Sequence, residues 1–137
     1  MMEREQLTAL LHEVEPQMRA YRRWFHEHPE LSGIEKETSA KILEVVKAQG
    51  LSWEMVGDYG IIARIEGGFE GKTVVLRADM DALPVKESRE NLSGEKVSVS
   101  GNDGVSHACG HDAHMAMMLG AMLVLNRLKS QLHGTVL

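Results

Sequence analysis

The eight positions His107-Ala108-Cys109-Gly110-His111-Asp112-Ala113-His114 hold three of the chain's seven histidines and its single cysteine. Imidazole and thiolate are the side chains that best bind zinc-like ions. Cys109 and His111 stand two apart and cannot share a helical face, but a bent or extended segment aims both at one ion. Gly110 between them permits the tight backbone this needs. Asp112 suits either the N-cap of a following helix or an outer carboxylate that orients an imidazole. The competing assignments are a buried apolar cysteine with surface histidines, or a nucleophilic Cys109 with His107 or His111 as its base. Metal binding accounts for more of the cluster. The zinc-protease pattern His-Glu-x-x-His is absent, since position 108 is Ala.

A second cluster is Arg77-Ala78-Asp79-Met80-Asp81-Ala82-Leu83-Pro84. In extended chain Asp79 and Asp81 point the same way. They follow a predicted strand at its carboxyl end, where open α/β folds place ligands. Taken alone, the pair reads as turn carboxylates. His26 and His28 read as helix-end residues. Met115, Met117, Met118 and Met122 read as core packing.

Stepping outward, the stripe Leu7, Leu10, Leu11, Val14, Met18, Tyr21 and Phe25 predicts a helix to about residue 28, broken or kinked at Pro16. A second helix is predicted over 35–49, stopped by Gly50. Residues 51–56 predict a weak strand and 61–65 a better one, around a turn at 57–60. A flexible turn at 67–71 leads to a strong strand over 73–78. The adjacent Val74, Val75 and Leu76 predict that this strand is covered on both faces. Residues 86–104 predict a long polar surface loop. A last helix is predicted over 112–130, and 134–137 begins another strand.

Composition narrows the function classes. Lys+Arg 15 against Asp+Glu 20 leaves a net charge of −5, with no basic block for nucleic acid. The longest apolar stretch, 115–125, is short of the roughly 18 residues of a membrane span, and residues 1–5 do not resemble a signal peptide. One cysteine cannot form an internal disulfide. A cytoplasmic protein is the expectation.

Three segments, taken in order, resemble the amidohydrolase (aminoacylase) branch of the dinuclear metallopeptidases. They are Arg23-Trp24-Phe25-His26-Glu27-His28-Pro29-Glu30-Leu31-Ser32, then Leu76 with the second cluster, then the 107–114 cluster. That branch includes hippurate hydrolases, N-acetyl-amino-acid deacetylases and indole-acetyl-amino-acid hydrolases. The resemblance runs from about Arg19 to Leu137, and the second and third motifs together are highly specific. Ser106 departs from it, standing where many relatives carry an apolar residue.

The resemblance implies an α/β fold of zinc-exopeptidase type, a mixed sheet flanked by helices. Residues 1–137 would be the N-terminal portion of the catalytic domain, ahead of an inserted smaller domain. It implies two divalent ions (zinc, manganese or nickel), with Cys109 and His111 as metal ligands and Asp81 orienting the site. A downstream Glu-Glu pair, whose first member is the general base, and two further histidine ligands have no counterpart here. The implied reaction is hydrolysis of N-acyl amino acids or small peptide-like substrates by metal-activated water, by a protein that could be a homo-oligomer; the chain alone would be inactive. The rival expectation is a non-catalytic metal-binding or interaction module built on the same Cys/His cluster.

Overall fold

The computed structural model describes residues 4–137. Helix α1, Arg4–Glu27, runs through Pro16 as one helix, so of the expected break or kink the break does not occur. Proline removes the N–H that His12 would receive. His12 and Pro16 both lie on the exposed face, where water can take the freed carbonyl. Helix α2, Lys36–Ala48, buries Val45 and Val46. Its first turn has no side-chain cap from Glu35. The Glu30 carboxylate takes that role from outside, accepting the N–H groups of Glu37 (3.0 Å) and Thr38 (2.6 Å).

Strands β1, Ser52–Val56, and β2, Gly60–Glu66, form the predicted hairpin. Strand β3, Phe69–Val74, starts inside the expected flexible turn. The last strand, β6 at His133–Val136, lies between β2 and β3, antiparallel to the first and parallel to the second. The sheet order is therefore β1-β2-β6-β3, and the sheet is mixed. The expectation that residues 74–76 are covered on both faces is not met: Val74, Val75 and Leu76 are 54%, 68% and 42% exposed. β3 is the edge of this sheet, paired only with β6. Beyond Val74 the chain stays extended, and Leu76 donates its N–H to the Leu137 carbonyl at 2.9 Å.

Helix α3, His111–Leu128, returns the chain from the site to the sheet through a short 3-10 turn, Lys129–Gln131. It packs antiparallel to α1, as three contacts along its length show. Asp112 meets His26, Gly120 faces Met18, and Arg127 pairs with Glu13 at 3.0 Å. At Gly120 the helices come close: a Cβ there would meet the Met18 side chain, which would have to shift. Between the helices lie Val14, Phe25, Met115, Leu119 and Leu128, each at most 3% exposed. Each such side chain contributes about 1.5–3 kcal/mol through burial. Met115 and Met122 are core residues as expected, whereas Met117 faces outward. Residues 86–104 are not wholly a surface loop. They carry a small hairpin, β4 (Glu90–Asn91) and β5 (Gly94–Glu95), together with the buried Ser98 and the Glu87 side chain, which is 10% exposed. Among the described residues no helix is long and apolar enough to cross a membrane.

Candidate active site

The three sequence clusters are tied together through their backbones. Ala82 donates its N–H to the Glu30 carbonyl at 2.7 Å, and Leu83 exchanges two 3.0 Å bonds with Ser106. The segment that follows the sheet edge is thus fixed between the end of α1 and the approach to α3. Ser106 is buried, and its hydroxyl donates to the Val85 carbonyl at 2.8 Å. The departure from the family pattern at this position therefore leaves no unpaired polar group.

This arrangement sets Asp81 beside His111. The His111 Nδ1 lies 2.9 Å from the Asp81 carbonyl oxygen and 3.0 Å from its Oδ1. Both partners are acceptors, so Nδ1 carries the proton and donates. In the neutral ring, Nε2 is then the lone-pair nitrogen, the form in which histidine ligates metals. Gly110, at φ +100°, is the N-cap of α3 and turns the chain between Cys109 and His111. That backbone conformation suits glycine. Cys109 is exposed, so it does not play the buried apolar role. An accessible thiol two residues from an imidazole with Nε2 available fits a divalent, borderline-soft ion by donor chemistry. Among the described residues, however, no three His, Cys, Asp or Glu side chains converge on one point as a cation cage.

Other predicted candidates fall elsewhere. Asp79 pairs with Arg77 at 2.9 Å and is exposed, so the two aspartates do not act together. His114 is exposed, its ring 6.1 Å from that of His111. His28 is a helix-end residue as expected: it stacks on Trp24 at 4.2 Å, with Nδ1 2.7 Å from the Trp24 carbonyl. Asp112 does not cap α3. It lies in the first turn with its side chain buried against α1.

The residue opposite Asp112 is His26, which is more than a helix-end residue. Its Nδ1 is 2.7 Å from Asp112 Oδ2, and its Nε2 is 2.7 Å from Glu87 Oε1. Arg22 Nε also reaches Asp112 at 3.0 Å, Lys96 reaches Glu87 at 3.0 Å, and the Ser100 N–H donates to Glu87 at 2.6 Å. Asp112 raises the His26 pKa above its ordinary 6.5; burial opposes this, and Glu87 adds to the rise. Burial pushes both carboxylates up, but their partners outweigh it. His26, the Ala113 N–H and Arg22 hold Asp112 below 3.8. The Ser100 N–H, His26 and Lys96 hold Glu87 below 4.5. Glu87 was not a sequence candidate, because a lone glutamate in a polar segment carries no spacing signal. His26 and Glu87 also border a cavity of about 920 Å³ with Arg22, Arg23, Lys86 and His107. His107 is 5% exposed, and neither of its ring nitrogens has a partner among the described residues. Burial lowers its pKa below the ordinary 6.5.

Comparison with known proteins places the chain in a family. Residues 75–137, which hold the second and third clusters, match the model of peptidase family M20/M25/M40. An N-acyl-L-amino acid amidohydrolase of Geobacillus stearothermophilus is 37% identical over 136 residues, which are 98% of this chain and 35% of that protein. Thermostable carboxypeptidase 1 of Saccharolobus solfataricus is 41% identical, over 96% of this chain and 33% of its own length. The crystal structure of the Bacillus subtilis YXEP protein, described as a dinuclear metal binding peptidase of the M20 family, superposes with a TM-score of 0.81. That match has 39% identity and covers 90% of this chain and 34% of that one. The chain thus spans about a third of the length of these relatives. With its mixed sheet and flanking helices, and with similarity running along nearly its whole length, the chain belongs to the M20 peptidase family.

Proposed function

We propose that the protein hydrolyses the amide bond of N-acyl amino acids, releasing a carboxylic acid and a free amino acid. In this reading Cys109 and His111 ligate divalent ions, and Asp81 holds the His111 ring. The carrying observation is that Asp81 takes the Nδ1 side of His111 at 2.9 and 3.0 Å, next to an exposed Cys109. A bound pair of such ions lowers the pKa of water toward about 7 and polarises the scissile carbonyl. Zinc, manganese and nickel are the candidates, and a thiolate with an imidazole suits zinc well. Cys109 binds as thiolate, His111 binds through Nε2, and Asp81 keeps the proton on Nδ1. Small N-acyl amino acids fit the names of the amidohydrolase relatives, and the carboxypeptidase relative makes short peptides the neighbouring class.

We further propose that the general base and the remaining metal donors lie outside these 137 residues, which form the N-terminal portion of the catalytic domain. The absence of a three-donor cluster among the described residues supports this. The test is to express the coding sequence read on in frame past Leu137, beside the 137-residue chain, with zinc, manganese or nickel added. Hippurate, N-acetylmethionine and a dipeptide are the substrates. The longer protein should hydrolyse the N-acyl amino acids and lose that activity in Cys109→Ala. Activity that survives Cys109→Ala removes this residue from the site. Hydrolysis by the 137-residue chain, lost in Cys109→Ala, overturns the claim that it is incomplete.

A further inference from the structure

The first turn of α3 carries His111, yet no side chain caps it: Gly110 is the N-cap. Something else must fix its rotation. The side chain of Asp112, only 2% exposed, reaches α1 and His26, while that of His111 reaches Asp81. Adjacent residues in one helical turn are thus held by two separate parts of the fold. His26 in turn bridges to Glu87, and Glu87 is fixed by Lys96 and the Ser100 N–H. Carboxylates 2.7 Å from each ring nitrogen require both nitrogens to donate, so the 3.3 Å approach of Arg22 to Nδ1 is a contact rather than a hydrogen bond. The bridge joins α1, the first turn of α3 and the 86–100 segment, which are distant in sequence.

We propose that His26 is a positioning residue for the Cys109-Gly110-His111 turn, acting through Asp112, with Glu87 holding the imidazole in place. Its functional meaning rests on the metal-site reading, but the mechanical claim does not. Among the cavity's cations, Arg22 and Lys96 are already paired with Asp112 and Glu87. These two cations, which line the cavity, also hold the two carboxylates of the bridge.

Three substitutions separate the two arms. His26→Asn keeps an N–H near the Nδ1 position, facing Asp112. His26→Gln keeps one near Nε2, facing Glu87. His26→Leu keeps neither. On the 137-residue chain, two readouts need no metal: native-state hydrogen exchange at Ala113 and His114, whose N–H groups bond the Gly110 carbonyl, and the ¹⁵N shifts of the His111 ring. A third, on the protein read on past Leu137, is cobalt(II) titration, followed by the thiolate charge-transfer band. In His26→Leu and His26→Gln, exchange at Ala113 and His114 should rise about tenfold or more relative to global unfolding, and cobalt affinity should fall about tenfold or more. His26→Asn should recover most of both. If His26→Leu does not fold, the contrast between Asn and Gln decides. Equal exchange and unchanged His111 shifts in Asn and Gln overturn the proposal. Altered exchange with no cobalt band in the wild-type protein read on past Leu137 supports the positioning role and counts against the metal reading instead.

Discussion

Asp81 meets His111 twice through one ring nitrogen, once with its main-chain oxygen at 2.9 Å and once with its carboxylate at 3.0 Å. The carbonyl alone can hold the ring in place. The carboxylate adds charge, which makes Nε2 a stronger donor and favours the Nδ1-protonated form. Asp81→Asn keeps the carbonyl contact and removes the charge. It should therefore weaken zinc or cobalt binding by about 10–100-fold with little change in fold, as measured by competition with a chromophoric chelator. An unchanged affinity would leave Asp81 with a purely structural place in the segment.

The exposure of Cys109 gives a second prediction, which does not depend on turnover. A disulfide reagent should modify the native chain at this single thiol without unfolding it first. Saturating zinc should slow that reaction about tenfold or more, because a coordinated thiolate is not free to attack. In His111→Ala the protection should be lost while the unprotected rate stays the same. Equal protection in both proteins would place the ion away from this pair.

The His26 bridge should also appear in stability against pH. His26 has a raised pKa in the fold. Its contribution is fully present below its ordinary 6.5 and is lost as pH rises through the folded value. Asp112 and Glu87 have lowered values. Their contributions are present above their ordinary 3.8 and 4.5 and are lost as pH falls through the folded values. The urea-midpoint difference between wild type and His26→Asn should therefore be widest between about 4.5 and 6.5 and shrink on both sides. A pH-independent difference would mean that the imidazole carries no charge in the fold.

How much of this was legible in the chain depends on the range of the signal. Local periodicity placed both long helices and the β1–β2 hairpin within a few residues, because apolar spacing and glycine stops act at short range. The Cys/His and Asp clusters could be read because ligand types crowd a short segment. Pro16 misled, since a proline on an exposed helix face costs less than one facing the core. Val74, Val75 and Leu76 predicted two covered faces, but burial depends on which strands and helices lie alongside, and here only β6 pairs with β3. Asp112 was split between a cap and a carboxylate that orients an imidazole; it does hold an imidazole, that of His26 rather than one in its own cluster. It bonds His26, 86 residues away, and no spacing rule reports such a pair.

His107 supplies the last prediction, and its sign is unusual for a buried residue. It is 5% exposed, and among the described residues both ring nitrogens lack partners. A neutral imidazole needs at least one N–H partner, and an unmet buried polar group costs about 1–3 kcal/mol. Burial lowers its pKa. The penalty therefore grows as pH falls below the ordinary 6.5, where the unfolded chain takes up a proton that the fold resists. His107→Leu removes both polar atoms while keeping much of the volume. At neutral pH the variant should be as stable as the wild type or more stable, by up to about 2 kcal/mol. Its advantage should widen between pH 7 and 5. Urea denaturation across that range measures both effects. A loss of more than about 2 kcal/mol would reveal a partner for the ring, and a parallel loss of zinc affinity would identify that partner as the metal.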